Sequence, residues 1–287
     1  MRYVKPESFE AAATLLRDET GISRILAGGT DVLVQLKAEM VEPDLMVDLK
    51  HLPGMREIVA EDGGFRIGAA VSGAELGEHD AVKAMWPGVV EGVELIGSSQ
   101  VQSRATMAGN LCTGSPAGDA VPAMVTAEAV ARVHGPEGVR DVPVVDIPTG
   151  PGKNSLSKGE FITSIYLPAR PAHAGDAYLR FIPRTEMDIA VSSAAVSLAL
   201  EEDGTVSSAR VAVGAVAPTV RLVKDAGAAL VGSKLDDAAI AAMVHAVEAA
   251  CSPITDKRGT IEFRTKTAGV LAKRAALIAY GRAGGQL

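Results

Sequence analysis

Apolar and polar positions along residues 6–50 follow two different periods. Pro6 and Ser8 open a pattern in which Phe9, Ala12, Leu15 and Leu16 recur at three- and four-residue spacing, the mark of one helix face. A short apolar run at 22–26 reads as a strand, residues 31–39 as an amphipathic helix, and 45–49 as a second strand. That order predicts a β–α–β unit with parallel pairing. Residues 55–70 alternate like two strands joined at Asp62-Gly63-Gly64, a hairpin signal. Short helical patterns follow near 73–84 and 87–96, and a further helix is predicted over 120–127. Strands near 129–134, 139–144 and 161–167 are expected to complete a mixed sheet.

The stretch 168–175 holds two prolines and a glycine, a composition of linkers and domain edges. Beyond it lie strand-like runs at 176–182, 190–200 and 206–214. Glu201-Glu202-Asp203-Gly204 forms a natural hairpin turn between the last two. Helical patterns at 221–230, 236–250 and 261–282 close the chain. Strands first and helices after is an α+β arrangement.

Two glycine-bearing motifs interrupt these patterns. The first is Ala27-Gly28-Gly29-Thr30-Asp31, between the strand at 22–26 and the helix after it. The second is Thr106-Met107-Ala108-Gly109-Asn110, which leads into Thr113-Gly114-Ser115-Pro116-Ala117-Gly118-Asp119. A glycine turn lets backbone approach a ligand, because no β-carbon intervenes. Thr30 or Asp31 can cap the following helix, and free N–H groups at such a helix start suit a phosphate or diphosphate. Either motif alone also reads as an ordinary tight turn. The pair together points to a ligand held between them.

Composition narrows the chemistry. The chain has 287 residues, 47% apolar and only 3% aromatic, which suits a globular chain with a large core. Its net charge of −7 and the lack of a basic patch argue against nucleic acid. No signal peptide and no run long enough to span a bilayer is expected, so a cytoplasmic chain is the reading, with association at the inner face of the membrane left open. Cys112 and Cys251 match no metal spacing, and two thiols are too few for an iron–sulfur cluster that needs four. Cys112 reads as a small buried residue before it reads as a redox thiol. The five histidines form no metal-binding pair, and no nucleophile elbow or Walker motif occurs.

At the two glycine motifs the sequence resembles the FAD-binding (medium) subunits of the molybdenum hydroxylases. That group includes the medium subunit of carbon monoxide dehydrogenase and the FAD domain of xanthine dehydrogenase. The likeness continues through residues 114–124. Residues 184–190 resemble the strand that approaches the flavin in that family, and residues 262–266 the start of its last helix. One departure is Ala108, where the family's second motif carries the first of two glycines. A methyl there is tolerable at negative φ and strained at positive φ.

The resemblance implies an α+β (mixed α/β) fold: a two-subdomain FAD-binding unit of the vanillyl-alcohol-oxidase-like (PCMH) type, then a three-stranded antiparallel sheet with a helical bundle. Residues 1–173 would form the FAD-binding domain, split near 52–56, and 174–287 the C-terminal domain. Ala27, Gly28, Gly29, Thr30 and Asp31 would wrap the FAD diphosphate. Thr106, Gly109 and Asn110 would hold diphosphate and ribityl oxygens, and Asp119 would accept hydrogen bonds from hydroxyls, its alternative role being a helix N-cap. Leu156 and Ile189 match positions near the flavin. Arg180 matches a basic residue near it, the alternative being a solvated charge on an edge strand. The implied function is electron transfer. FAD would receive electrons from two [2Fe–2S] clusters on a small partner subunit and pass them to an external acceptor. A large molybdopterin-binding subunit would oxidise the substrate, and the whole would be a dimer of heterotrimers, a heterohexamer. The other readings are a free-standing flavin oxidoreductase of the same fold, or a non-catalytic scaffold. No histidine lies in either glycine motif, which counts against a covalently attached flavin. Replacing Gly28 or Gly29 with valine is expected to abolish FAD retention, read from the flavin absorbance of the purified protein.

Overall fold

The computed structural model describes residues 1–286. The first unit runs β1 (Arg2–Val4), α1 (Phe9–Asp18), β2 (Ser23–Leu26), α2 (Val32–Lys37) and β3 (Leu45–Asp48). β3 lies between β1 and β2 and is parallel to both, so the expected β–α–β unit is present. β1 was not legible, because three mostly exposed residues carry no period. Ser8 starts α1 by accepting the Ala11 N–H at 3.1 Å, and Ala12, Ala13 and Leu16 turn inward. α2 is shorter than the pattern at 31–39 suggested and buries none of its residues; Leu33 and Val34 are 52% and 62% exposed.

The next stretch contains β4 (Ile58–Glu61), β5 (Gly64–Gly68), α3 (Gly73–Gly77), α4 (Asp80–Met85) and α5 (Pro87–Glu94). Then come α6 (Ser99–Gln102), α7 (Met107–Cys112), α8 (Ala120–Thr126), β6 (Val130–Gly135) and β7 (Gly138–Pro143). A 3-10 turn at Val144–Asp146 leads to a small hairpin, β8 (Pro148–Gly150) with β9 (Lys153–Asn154), and then to β10 (Phe161–Leu167). The sheet order is β4-β5-β10-β6-β7, antiparallel throughout. The single mixed sheet expected from sequence is therefore two sheets, one parallel and one antiparallel. The connections decide this: helices join the parallel strands, whereas β4–β5 and β6–β7 turn back at once.

The C-terminal part places β11 (Ala174–Phe181), β12 (Ser192–Leu200), β13 (Val206–Gly214) and β14 (Arg221–Leu222) in one antiparallel sheet, in that order. The two-residue β14 extends the three strands anticipated. Helices α9 (Lys224–Leu230), α10 (Asp237–Ala250) and α11 (Ile261–Arg282) follow. Residues 182–191 form a loop and not the strand suggested by likeness at 184–190. Pro183 has no N–H for a ladder, and Met187, at φ 53, leaves the extended region.

The C-terminal sheet is buried on both sides. Tyr178, Ala195 and Ala212 on one face join the core of the N-terminal part. Ala177, Ala194, Val196, Val211 and Val213 on the other pack with α9, α10 and α11 in a second core. Alternation along each strand sends successive side chains to opposite faces, so one sheet closes two cores. β11 lies close under α11: a β-carbon on Gly175 would overlap the Ala279 carbonyl oxygen. Gly175→Ala is expected to lower unfolding free energy by about 1–3 kcal/mol, measured by urea titration, because α11 must move off the sheet.

Candidate functional site

The first glycine motif leaves the end of β2 and turns into α2, with Gly29 at φ 79. A β-carbon on Gly28 would overlap the Arg104 carbonyl oxygen and press on Ala105, so this turn lies directly against the residues that lead into the second motif. Asp31 stands at the N-cap position of α2 but makes no cap bond. Its carboxylate instead accepts from Gln35 Nε2 at 2.9 Å and from Thr113 Oγ1 at 3.3 Å, the latter a bond between the two motifs. Among the described residues, the backbone N–H groups of Gly28, Gly29 and Thr30 have no acceptor. Ala27 begins the same half-buried turn.

The second motif is the start of a helix and not a loop. Thr106 caps α7, its Oγ1 accepting the Gly109 N–H at 2.9 Å. Ala108 lies within that helix, outside the positive-φ residues, and its methyl is buried in the first core. The departure from two glycines therefore strains nothing. Asn110 reaches the next helix: its Oδ1 accepts the Ala120 N–H at 3.1 Å at the start of α8. The β8–β9 hairpin closes on the same segment, with Gly152 N–H bonded to the Gly114 carbonyl at 3.0 Å and Asn154 Nδ2 to the Cys112 carbonyl at 3.0 Å. Leu156 follows, its N–H bonded to Asn154 Oδ1 at 3.2 Å and its side chain packed on the first core. Burial pushes the Cys112 thiol up to about 12, and burial with Glu248 beside it pushes Cys251 up to about 11, so both behave as small packed residues.

Asp119 stands at the N-cap position of α8, yet its side chain makes no cap bond. It faces the C-terminal sheet, where Tyr178 Oη donates to Oδ1 at 2.8 Å and Arg180 Nη1 to Oδ2 at 2.6 Å. Burial lifts the carboxyl to about 6 against the opposing pull of Arg180 and the Tyr178 hydroxyl. Arg180 does lie on an edge strand, but its side chain is only 5% exposed, so it is not a solvated charge. Tyr178 was missed by sequence reasoning. Its signal was there: in a strand, residues two apart share a face, and Tyr178 stands two before Arg180. Ile189 is the outlying member, 53% exposed in the 182–191 loop, next to Asp188, which pairs with Arg184 at 3.3 Å and Arg258 at 3.6 Å.

Unpaired amides, a threonine, an asparagine and two carboxylates, the exposed Asp31 and the buried Asp119, combine neutral donors with acceptors. Such a set suits a diphosphate with a polyol arm. The close seat of the Gly28 turn against Arg104 brings its unpaired amides beside the start of the second motif. Among the described residues, no group of three or more His, Cys, Asp and Glu side chains could hold a metal ion, and no helix is long and apolar enough to cross a membrane.

Known proteins place the same arrangement in context. Residues 1–170 match the family model of the FAD-binding domain in molybdopterin dehydrogenase, and residues 177–279 that of the CO dehydrogenase flavoprotein C-terminal domain. The chain is 32% identical to the xanthine dehydrogenase FAD-binding subunit of Escherichia coli O157:H7, over 98% of each chain. It is 33% identical to the carbon monoxide dehydrogenase medium chain of Afipia carboxidovorans, covering 98% of this chain and 97% of that one. Its fold superposes on a chain of the reconstituted CO dehydrogenase from Oligotropha carboxidovorans with a TM-score of 0.93, at 33% identity over 98% of both.

A second buried carboxyl, Asp176, is lifted to about 6 by burial, opposed chiefly by Arg170 at 2.8 Å. Asp119 and Asp176 both start from 3.8. Between these values the native state holds protons that the unfolded chain has released. Their contribution is thus fully present below the unfolded value and is lost as pH rises through the folded one. Unfolding free energy of the wild-type chain, relative to Asp119→Asn or Asp176→Asn, is expected to fall between about pH 4 and pH 6 by up to about 3 kcal/mol per carboxyl. Urea titrations across that range check it.

Proposed function

The chain belongs to the FAD-binding subunits of the molybdenum hydroxylases, and on that premise we propose that its two glycine motifs and Asp119 form the FAD clamp. It is a flavoprotein oxidoreductase subunit, and FAD is its cofactor. In the clamp, the backbone of Ala27, Gly28, Gly29, Thr30 and Asp31 binds the diphosphate. Thr106, Gly109 and Asn110 hold diphosphate and ribityl oxygens, and Asp119 accepts from hydroxyls. Leu156, Arg180 and Ile189 border the ring. The observation that carries this reading is the meeting of the two motifs: Gly28 against Arg104, and Asp31 bonded to Thr113, with unpaired amides beside them. Half-buried N–H groups without protein acceptors, next to a second helix start, are free to bind an anion.

When bound, FAD supplies the redox chemistry between an electron donor and an acceptor, and this chain's residues bind and orient it. We take the donor to be a small subunit with two [2Fe–2S] clusters, and the substrate site to lie on a large molybdopterin subunit, in a dimer of heterotrimers. Two separate cysteines supply too few thiolates for a cluster here, which supports a partner. The complex would work in the cytoplasm, where unpaired thiols are the rule. We also divide the chain into an FAD-binding domain, 1–173, whose two subdomains meet near 52–56, and a C-terminal domain, 174–287.

The purified whole chain, reconstituted with FAD, is expected to take up one flavin per chain and to turn over no aldehyde, purine or N-heterocycle by itself. Uptake with turnover would make it a free-standing flavoenzyme. Failure to take up flavin, alone or with its partner subunits, would sink the clamp.

A further inference from the structure

We propose that Tyr178 is a positioning residue of the cofactor site, holding the Asp119 carboxylate in place from the C-terminal sheet. The inference rests on Asp119 being part of the FAD clamp. A residue at the first position of a helix ordinarily fixes its carboxylate on its own N–H groups. Here the helix start leaves it nothing to cap: Asn110 Oδ1 accepts the Ala120 N–H, the Gly118 carbonyl accepts the Val121 N–H, and Pro122 has none. Asp119 makes no bond to its own helix, so its direction is set from β11.

Two groups set it, and they differ in kind. Arg180 has a long side chain, and its buried Nε has no partner, so its guanidinium is held at one end only. Tyr178 is fixed at three points. Its ring is fully buried in the first core. Its backbone N–H is bonded to Glu91 Oε2 on α5 at 3.0 Å. Its hydroxyl donates to Asp119 at 2.8 Å. A rigid ring gripped in this way sets the carboxylate's position more tightly than the flexible arginine does.

The charges around the carboxylate are few. From β11, Arg180 pairs with Asp119 directly. From α5, Glu91 faces the Tyr178 N–H and is paired with Arg282 of α11. Ser193 on β12 is a neutral neighbour of the Tyr178 hydroxyl, and Asn110 and the start of α8 contribute only neutral groups. A hydroxyl donating to a carboxylate favours its charged form. Removing that donor raises the pH at which Asp119 loses its charge, and with it the pH below which FAD is released.

Tyr178→Phe keeps the ring and deletes the donor. In flavin titrations of the whole chain at pH 7.5, FAD affinity is expected to fall about tenfold, the factor one charge-assisted hydrogen bond supplies. The pH midpoint for FAD retention should move to higher pH. Asp119→Asn serves as the reference, expected to weaken FAD and erase that midpoint. If Asp119→Asn weakens FAD and erases the midpoint while Tyr178→Phe alters neither, the positioning role is overturned and the clamp stands. Weaker binding in Tyr178→Phe with an unmoved midpoint also overturns it, as plain packing damage. If Asp119→Asn changes nothing, Asp119 is not in the clamp and the inference falls with it. Should the phenylalanine variant not fold, 3-fluorotyrosine placed at 178 keeps the shape and strengthens the donor. The midpoint must then move to lower pH, and an unmoved midpoint overturns the proposal.

Discussion

A buried carboxylate is tolerated only where donors and cations replace the water it gives up. This fold does so twice at the junction of its two parts. Asp119 is answered by Tyr178 and Arg180. Asp176 is answered at Oδ1 by Arg170, whose guanidinium also lies 4.5 Å over the Trp86 ring and bonds to the Met85 carbonyl, while its Oδ2 is buried without a partner. Each pair joins residues from opposite sides of the junction, so removing one partner while the parts stay packed would strand the other charge in a dry interior. Leaving one partner of such a pair alone typically costs about 3–5 kcal/mol. The C-terminal sheet is therefore bound to the N-terminal core by its charges as well as by the shared apolar face of Tyr178, Ala195 and Ala212.

That constraint reaches the site. α8 begins at Ala120, between Asn110, which accepts its first N–H, and Asp119, which turns to β11. The second glycine motif, the start of α8 and the edge of the C-terminal sheet are consequently one mechanical unit. Glu91 and Arg282 extend it: Glu91 holds the Tyr178 N–H, while Arg282 pairs with Glu91 and donates to the Asp176 carbonyl at 2.7 Å. A substitution far along α11, at Arg282, is thus connected through named bonds to the carboxylate proposed to face the cofactor.

Much of this was legible in the sequence, and the misses have physical reasons. Period and turn chemistry were enough for α1, the β4–β5 hairpin and the strands-then-helices order of the C-terminal part. They were not enough for β1, which holds its place only by pairing with β3. The pattern at 31–39 had the right period, but amphipathicity says that a helix has an apolar face and not what covers it. Leu33 and Val34 remain exposed within this chain. Thr106 reads locally as part of a tight turn, although a threonine that bonds the N–H three residues on is a helix start. At Asp119 the sequence offers a cap or a ligand for hydroxyls. The third option, an ion pair with a residue 61 positions later, is a long-range contact that no local pattern announces.

The glycines separate what the protein needs from what a ligand needs. At Gly28 the chain itself requires glycine, since any β-carbon would strike the Arg104 carbonyl before a ligand is considered. At position 108 the opposite holds: the backbone is helical, the space is core, and Ala108 fills it. Gly109 is different again. It lies in α7 outside the positive-φ residues, and a β-carbon there would meet the Thr106 hydroxyl oxygen at 3.0 Å, the oxygen that caps the helix. Helix propensity alone would favour alanine at that position by about 1 kcal/mol. The capping oxygen of Thr106 is the one contact the fold offers against a β-carbon there, and the other place it would matter is the open side of α7. That is where the proposed clamp puts the diphosphate, and Ala108, one residue earlier, shows that the same helix accepts a methyl wherever it points inward.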